Sequence, residues 1–285
     1  MCDFIISQTD FDKIINYAQS AYTQFNTEIG GMCIAKKNED SNWVISNPVI
    51  VKQIVTSGNC ELDKDELSKY YVKTAVKHGM DVKFVWWHSH HTMGVNWSTT
   101  DTDTMEEFKS GDWSMSLVVN LKKECNFRVS WWNPVHAYMD VDIKIGDGSE
   151  RSIPKKIKDE VTKLCETTNV YSRNIGQPFM NGYQQSFLYD DDDLLNDGYN
   201  NISYSNNRLL PRDIVGKKNG EYIKEYIGIA NELLNDVWIQ QPNYYIFKHQ
   251  WSKLQRESEE FGLHFNDIPM NAFNRMLNNN IGDLN

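Results

Sequence analysis

Apolar residues recur at Phe11, Ile14, Ile15 and Ala18, the spacing of one helical face, and predict a helix over 10–22 behind a short strand at 3–7. After Glu28 the pattern changes. Gly30-Gly31 leads into Met32-Cys33-Ile34-Ala35, and further β-rich runs follow at 43–45 and 49–55, separated by Asn, Ser and Pro. Leu67, Tyr70, Tyr71, Thr74 and Ala75 restore the helical period and predict a helix over 63–78, with Gly79 in the capping place. Lys83 to Trp87 then reads as a buried strand running straight into His88, and a helix is predicted over 99–109. Strands are predicted at 114–121, 127–132 and 135–145.

From Pro154 a helix is predicted to about Thr167, followed over 176–220 by a stretch rich in Asn, Tyr, Asp and Ser that reads as a linker. Helices over 221–239, 244–261 and 268–277 come next, with Pro242 and Pro269 as start signals. The expected organisation is a mixed α+β or α/β domain over 1–150, a helix and linker over 151–218, and a helical C-terminal region over 219–285.

With 40% hydrophobic and 12% aromatic residues, the 285-residue chain has the material for a full core. A formal charge of -10 argues against non-specific binding to nucleic acid or an anionic membrane. Five cysteines with no Cys-x-x-Cys pair suggest neither a disulfide framework nor a thiolate zinc module, and no stretch has the length of a membrane span. The start of the chain lacks the basic and apolar regions of a secretory leader, so a cytoplasmic location is expected.

The chemistry gathers at His88-Ser89-His90. Side chains alternate along a strand, so the two imidazoles point to one face, where they can share a metal. Asp101, in the first turn of the next predicted helix, is placed to fold back as a third ligand. Two histidines and a carboxylate leave a fourth tetrahedral position for water, as catalytic zinc requires. A nearby carboxylate must take that water's proton and return it to the leaving amine; Glu28 is the candidate. Ser98 would donate a hydrogen bond to the oxyanion, an effect worth about 3 kcal/mol in other hydrolases.

Glu28 in the context Glu-Ile-Gly-Gly, followed by His88-x-His90, seven residues, Ser98, two residues and Asp101, resembles the full JAMM motif of the MPN/JAB metalloprotease family. The resemblance covers roughly 1–150. It implies an MPN sandwich of mixed sheet and helices, one zinc ion per chain on His88, His90 and Asp101, Glu28 as base and Ser98 as transition-state stabiliser. It also implies hydrolysis of a peptide or isopeptide bond in a protein substrate, of which a ubiquitin-like protein is the family's usual kind. His91-Thr92-Met93-Gly94 stands where many members have Pro after the second histidine, which is closer to bacterial and phage-encoded relatives.

Other readings compete with these. Ser98-x-x-Asp101 is also a helix capping box. Asp103 is a backup ligand should Asp101 point away, His91 reads as substrate-side or loop, and Trp97 as either groove or core. At the level of the whole chain the alternatives are a non-catalytic scaffold with the same fold, or a component of a larger protein assembly such as a virion.

Overall fold

The computed structural model describes residues 3–79, 81–109, 111–133, 136–146, 154–167, 217–240 and 242–278. The linker expected over 176–220, with its acidic run at 190–193, lies outside the described residues apart from 217–220. Residues 1–167 and 210–285 fall in one compact unit.

That unit is a mixed α+β structure. It opens with β1 (Phe4–Ile6), α1 (Gln8–Phe25), β2 (Gly30–Lys37) and β3 (Trp43–Val49). A hairpin of β4 (Gln53–Thr56) and β5 (Asn59–Leu62) leads to α2 (Lys64–His78), β6 (Lys83–Ser89) and α3 (Thr99–Glu107). Then come β7 (Trp113–Val119), β8 (Cys125–Trp131), β9 (Ala137–Val141), β10 (Ile143–Ile145), α4 (Lys155–Leu164) and β11 (Cys165–Thr167). The C-terminal part holds α5 (Lys217–Gln240), α6 (Tyr244–Glu259), β12 (His264–Phe265) and α7 (Met270–Asn278). Among the described residues, no helix is long and apolar enough to cross a membrane.

Nine strands form one sheet in the order β10-β1-β3-β2-β6-β7-β8-β9-β12, and β11-β4-β5 form a second. The single strand predicted over 135–145 is in fact two. β9 pairs antiparallel with β8, whereas β10 pairs parallel with β1 at the other end of the sheet. Only Asp142 separates them, so the sheet must curl back on itself, and Phe4 on β1 meets Phe127 on β8 with ring centroids 5.0 Å apart.

The apolar stripe of α1, including Phe11, Ile14, Ile15 and Ala18, is buried in the main core, and each large side chain there contributes about 2 kcal/mol through burial. Ser7 caps the helix by accepting the Asp10 N–H at 3.1 Å. The C-terminal helices join the same core through Ile223, Leu234, Phe247, Trp251 and Phe273, and β12 pairs antiparallel with β9. The helix predicted to reach Thr167 stops earlier. Cys165 turns extended and pairs with Gln53, so sheet pairing overrides helical pattern there. The run at 49–55 also divides, since β3 ends at Val49 and Gln53 opens the hairpin, whose β5 the pattern does not predict.

Among the described glycines, Gly31 on β2 leaves the least room for a side chain. A Cβ there would stand 2.1 Å from the Val49 carbonyl oxygen and 2.8 Å from the Trp87 ring. Gly31→Ala is therefore expected to destabilise the fold by about 2 kcal/mol or more, whereas Gly58→Ala, where a Cβ meets nothing within 4 Å, should stay within about 0.5 kcal/mol of wild type. Urea unfolding of the two variants checks this; equal stabilities would contradict the packing described.

Candidate metal centre

Strands β2 and β6 run antiparallel with Gly30 opposite His88 and Gly31 opposite Trp87. Extending that register by two residues sets Glu28 opposite His90. Hydrogen bonds carry the pairing one residue of that way: the Ser89 N–H donates to the Ile29 carbonyl at 2.9 Å, and the Ile29 N–H donates to the Ser89 hydroxyl at 3.1 Å. On the other side, Glu28 donates its N–H to the Thr56 carbonyl at 2.8 Å. Gln53 closes the frame, its buried amide accepting from the Gly30 N–H at 3.0 Å and donating to the Gly30 carbonyl at 2.9 Å. The glycine pair makes no turn. It lets β2 lie close against Trp87 and the hairpin, since a Cβ on Gly30 would stand 2.7 Å from the Cys60 sulfur.

His88, His90 and Asp101 converge. The two Nε2 atoms lie 3.0 Å apart, His88 Nε2 is 3.0 Å from Asp101 Oδ1, and His90 Nε2 is 3.3 Å from Asp101 Oδ2. All three residues are buried and form a group that could hold a metal ion. Ligands about 2.0–2.1 Å from a tetrahedral zinc stand about 3.3 Å from one another, and the three spacings, which reach Asp101 at its two different oxygens, are close to that size. The donor chemistry fits too. Two imidazole nitrogens at hydrogen-bonding distance need a shared proton, and a dication satisfies both lone pairs instead.

The surroundings orient each donor. His90 Nδ1 faces the Gly94 carbonyl at 3.0 Å, which fixes the ring with Nε2 toward its partners. His88 lies flat against Trp86, ring centroids 4.4 Å apart. Asp101 is the third residue of α3, and the capping box is present in full: the Asp101 N–H donates to Ser98 Oγ at 3.1 Å, and the Ser98 N–H donates to Asp101 Oδ2 at 2.7 Å. The same carboxylate thus caps the helix and faces the histidines. Ser98 Oγ only accepts in that box, so its own proton has no acceptor among the described residues.

The electrostatics follow from burial. Burial would raise Asp101, but hydrogen bonds from His88 and His90 and the Ser98 N–H outweigh it and hold the carboxyl well below the usual range. Burial pushes His88 down, against the pull of Asp101. Burial also opposes charge on His90, yet Asp101, the Gly94 carbonyl and Glu28 together carry it up. Glu28 is pushed up to about 7, chiefly by burial, with His90 lowering it and Asp101 raising it. A carboxyl near 7 both takes and returns a proton near neutrality.

No protein-family model matches the chain, and no curated protein matches it in sequence. Geometry therefore carries the assignment. The structure gathers His88, His90 and Asp101, sets Glu28 in electrostatic reach, and leaves Ser98 at the exposed rim. Asp103 is exposed outside the ligand group, as are Glu106 and Glu107, the latter paired with Lys64 at 2.6 Å. His91 is half-buried against Tyr22, ring centroids 5.2 Å apart. Trp97 lines a groove of about 450 Å³ with Ser98, Thr102, Arg128 and Tyr138. Pattern reading missed Ser89, Gln53 and Asn120, whose amide donates to the Met93 carbonyl at 2.8 Å and ties down the loop after His90. Ser89 was visible inside the histidine pair; nothing local marks the other two.

In metal-free protein, folded Glu28 keeps its proton up to about 7, while the unfolded chain loses it near 4.5. Its contribution is fully present below 4.5 and is lost as pH rises through 7, a difference of about 3 kcal/mol at most. Glu28→Gln should remove that slope, so in chelator-treated samples the variant gains on wild type between those pH values. Parallel melting curves for the two proteins across the window would contradict the raised carboxyl.

Proposed function

We propose that this chain is a zinc-dependent hydrolase of the JAMM type, cleaving a peptide or isopeptide bond in a protein substrate. The observation that carries the reading is the buried group of His88, His90 and Asp101, with the buried Glu28 side chain in electrostatic reach of it. An MPN fold for residues 1–150 is part of the proposal, supported by the motif and by the mixed curled sheet that displays it.

His88, His90 and Asp101 would hold one zinc ion through Nε2, Nε2 and a carboxylate oxygen. When bound, zinc supplies a Lewis acid that makes water nucleophilic near neutral pH. Glu28 takes the proton as the nucleophile attacks the carbonyl carbon, and hands it to the departing amine. The free Ser98 hydroxyl proton is directed to the oxygen that gains charge, while its Oγ stays fixed by the Asp101 N–H. The Gly94 carbonyl keeps the His90 tautomer constant throughout. By the motif resemblance the substrate is a protein, and ubiquitin-like proteins are the family's usual kind.

The test is cleavage of ubiquitin-like C-terminal amides and linked dimers by purified full-length chain. Glu28→Gln should lower the rate about 10²–10⁴-fold with metal content unchanged, and Ser98→Ala about 10²-fold. Full activity in metal-loaded Glu28→Gln would overturn the assigned base.

A further inference from the structure

Arg128 is the one charged side chain of β8 that is buried, and burying a guanidinium is costly unless its surroundings compensate it. Its compensation is specific. Asp140, directly opposite on β9, accepts from Nε at 2.6 Å and from Nη2 at 3.1 Å, and is itself held by the Asn126 amide at 3.1 Å. Two rings flank the cation, with the guanidinium carbon 3.9 Å from the Tyr138 centroid and 5.1 Å from that of Trp97.

Both rings lead somewhere. Trp97 leans on His88 with centroids 5.8 Å apart, so the imidazole is walled by Trp97 and by Trp86. Tyr138 stacks on His264 of β12, centroids 5.0 Å apart and 21° from parallel. His264, Tyr138, Arg128, Trp97 and His88 therefore form a continuous chain of ring and cation contacts from β12 to the candidate metal site. The loop over 91–98 is exposed at Thr92, Met93, Gly94, Asn96 and Ser98, so the half-buried Trp97 ring is one of its few packed anchors. Ser98 follows Trp97 directly and caps the helix that carries Asp101.

We propose that Arg128 is a positioning residue for the metal site, holding Trp97 against His88 and so fixing the seat of Ser98 and Asp101, with the C-terminal strand bracing the far side through Tyr138. The inference rests on the metal reading of the site. Neither Arg128 nor Tyr138 touches a metal ligand; both act through Trp97. A side chain that orients ligands from outside typically changes metal affinity 10–100-fold when removed.

The experiment titrates Co²⁺ into metal-free full-length protein and reads affinity and the visible ligand-field bands. Arg128→Ala should bind about tenfold more weakly with shifted bands, and Trp97→Ala should do the same. The double variant should be no worse than either single one, because both remove the same support. Tyr138→Phe, which keeps the ring, should match wild type, whereas Tyr138→Leu should lose affinity. Should Arg128→Ala not fold, Tyr138→Leu carries the test, since it leaves the Arg128–Asp140 pair in place. A merely structural role would lower melting temperature but leave bands and affinity of the folded protein unchanged, and that result overturns the brace alone. No Co²⁺ uptake by wild type would overturn the metal reading, and the brace with it.

Discussion

The ladder between β2 and β6, from Gly30 opposite His88 to Ala35 opposite Lys83, is the constraint on which the candidate site depends. Glu28 and His90 are far apart in sequence, and nothing local brings them together. A slip of one residue would turn every side chain of β2 to the other face and take Glu28 away from the histidines. The register is pinned where β2 can approach its neighbours only without a side chain, at Gly31 between the Val49 carbonyl and the Trp87 ring. Ser89 and Gln53 then fasten Ile29 and Gly30, the two residues before it. Backbone packing thus governs where Glu28 stands relative to His88 and His90.

Asp101 shows how two explanations of one residue pair can both hold. His88 meets Asp101 Oδ1, while Oδ2 serves both the Ser98 N–H of the capping box and His90. Capping starts α3 at the place where its first turn faces the strand end, and the carboxylate is then already aimed. Burial makes this arrangement sensitive. Burial drives the shifts on His88 and Glu28, whereas on Asp101 the hydrogen bonds from His88, His90 and the Ser98 N–H outweigh it.

Much of the site was legible because its chemistry is written in short spacings. His88 and His90 share a face through strand alternation, and Asp101 sits in the first turn after an N-cap serine. What could not be read depends on contacts distant in sequence. The split of 135–145 into β9 and β10 is invisible to periodicity, since both halves are apolar strands and only the curl of the sheet separates their partners. Residues 165–167 continue a helical pattern yet pair with β4. The two residues of β12 are placed by pairing with β9 and by Gln255 and Trp251 of α6, so no local pattern announces them. Gln53, Asn120 and Arg128 are ordinary polar residues until the strands beside them are known.

The C-terminal helices share the core of the sheet that carries the site, through residues such as Trp251 and Phe273. They therefore share one core with the strands that carry His88 and His90. The central claim is that the chain holds one metal ion on His88, His90 and Asp101. Elemental analysis of full-length wild type and His88→Ala, purified without added metal, tests it most directly. About one zinc per chain in wild type and none in the variant is the result expected; zinc absent from both, or equally present in both, would contradict it.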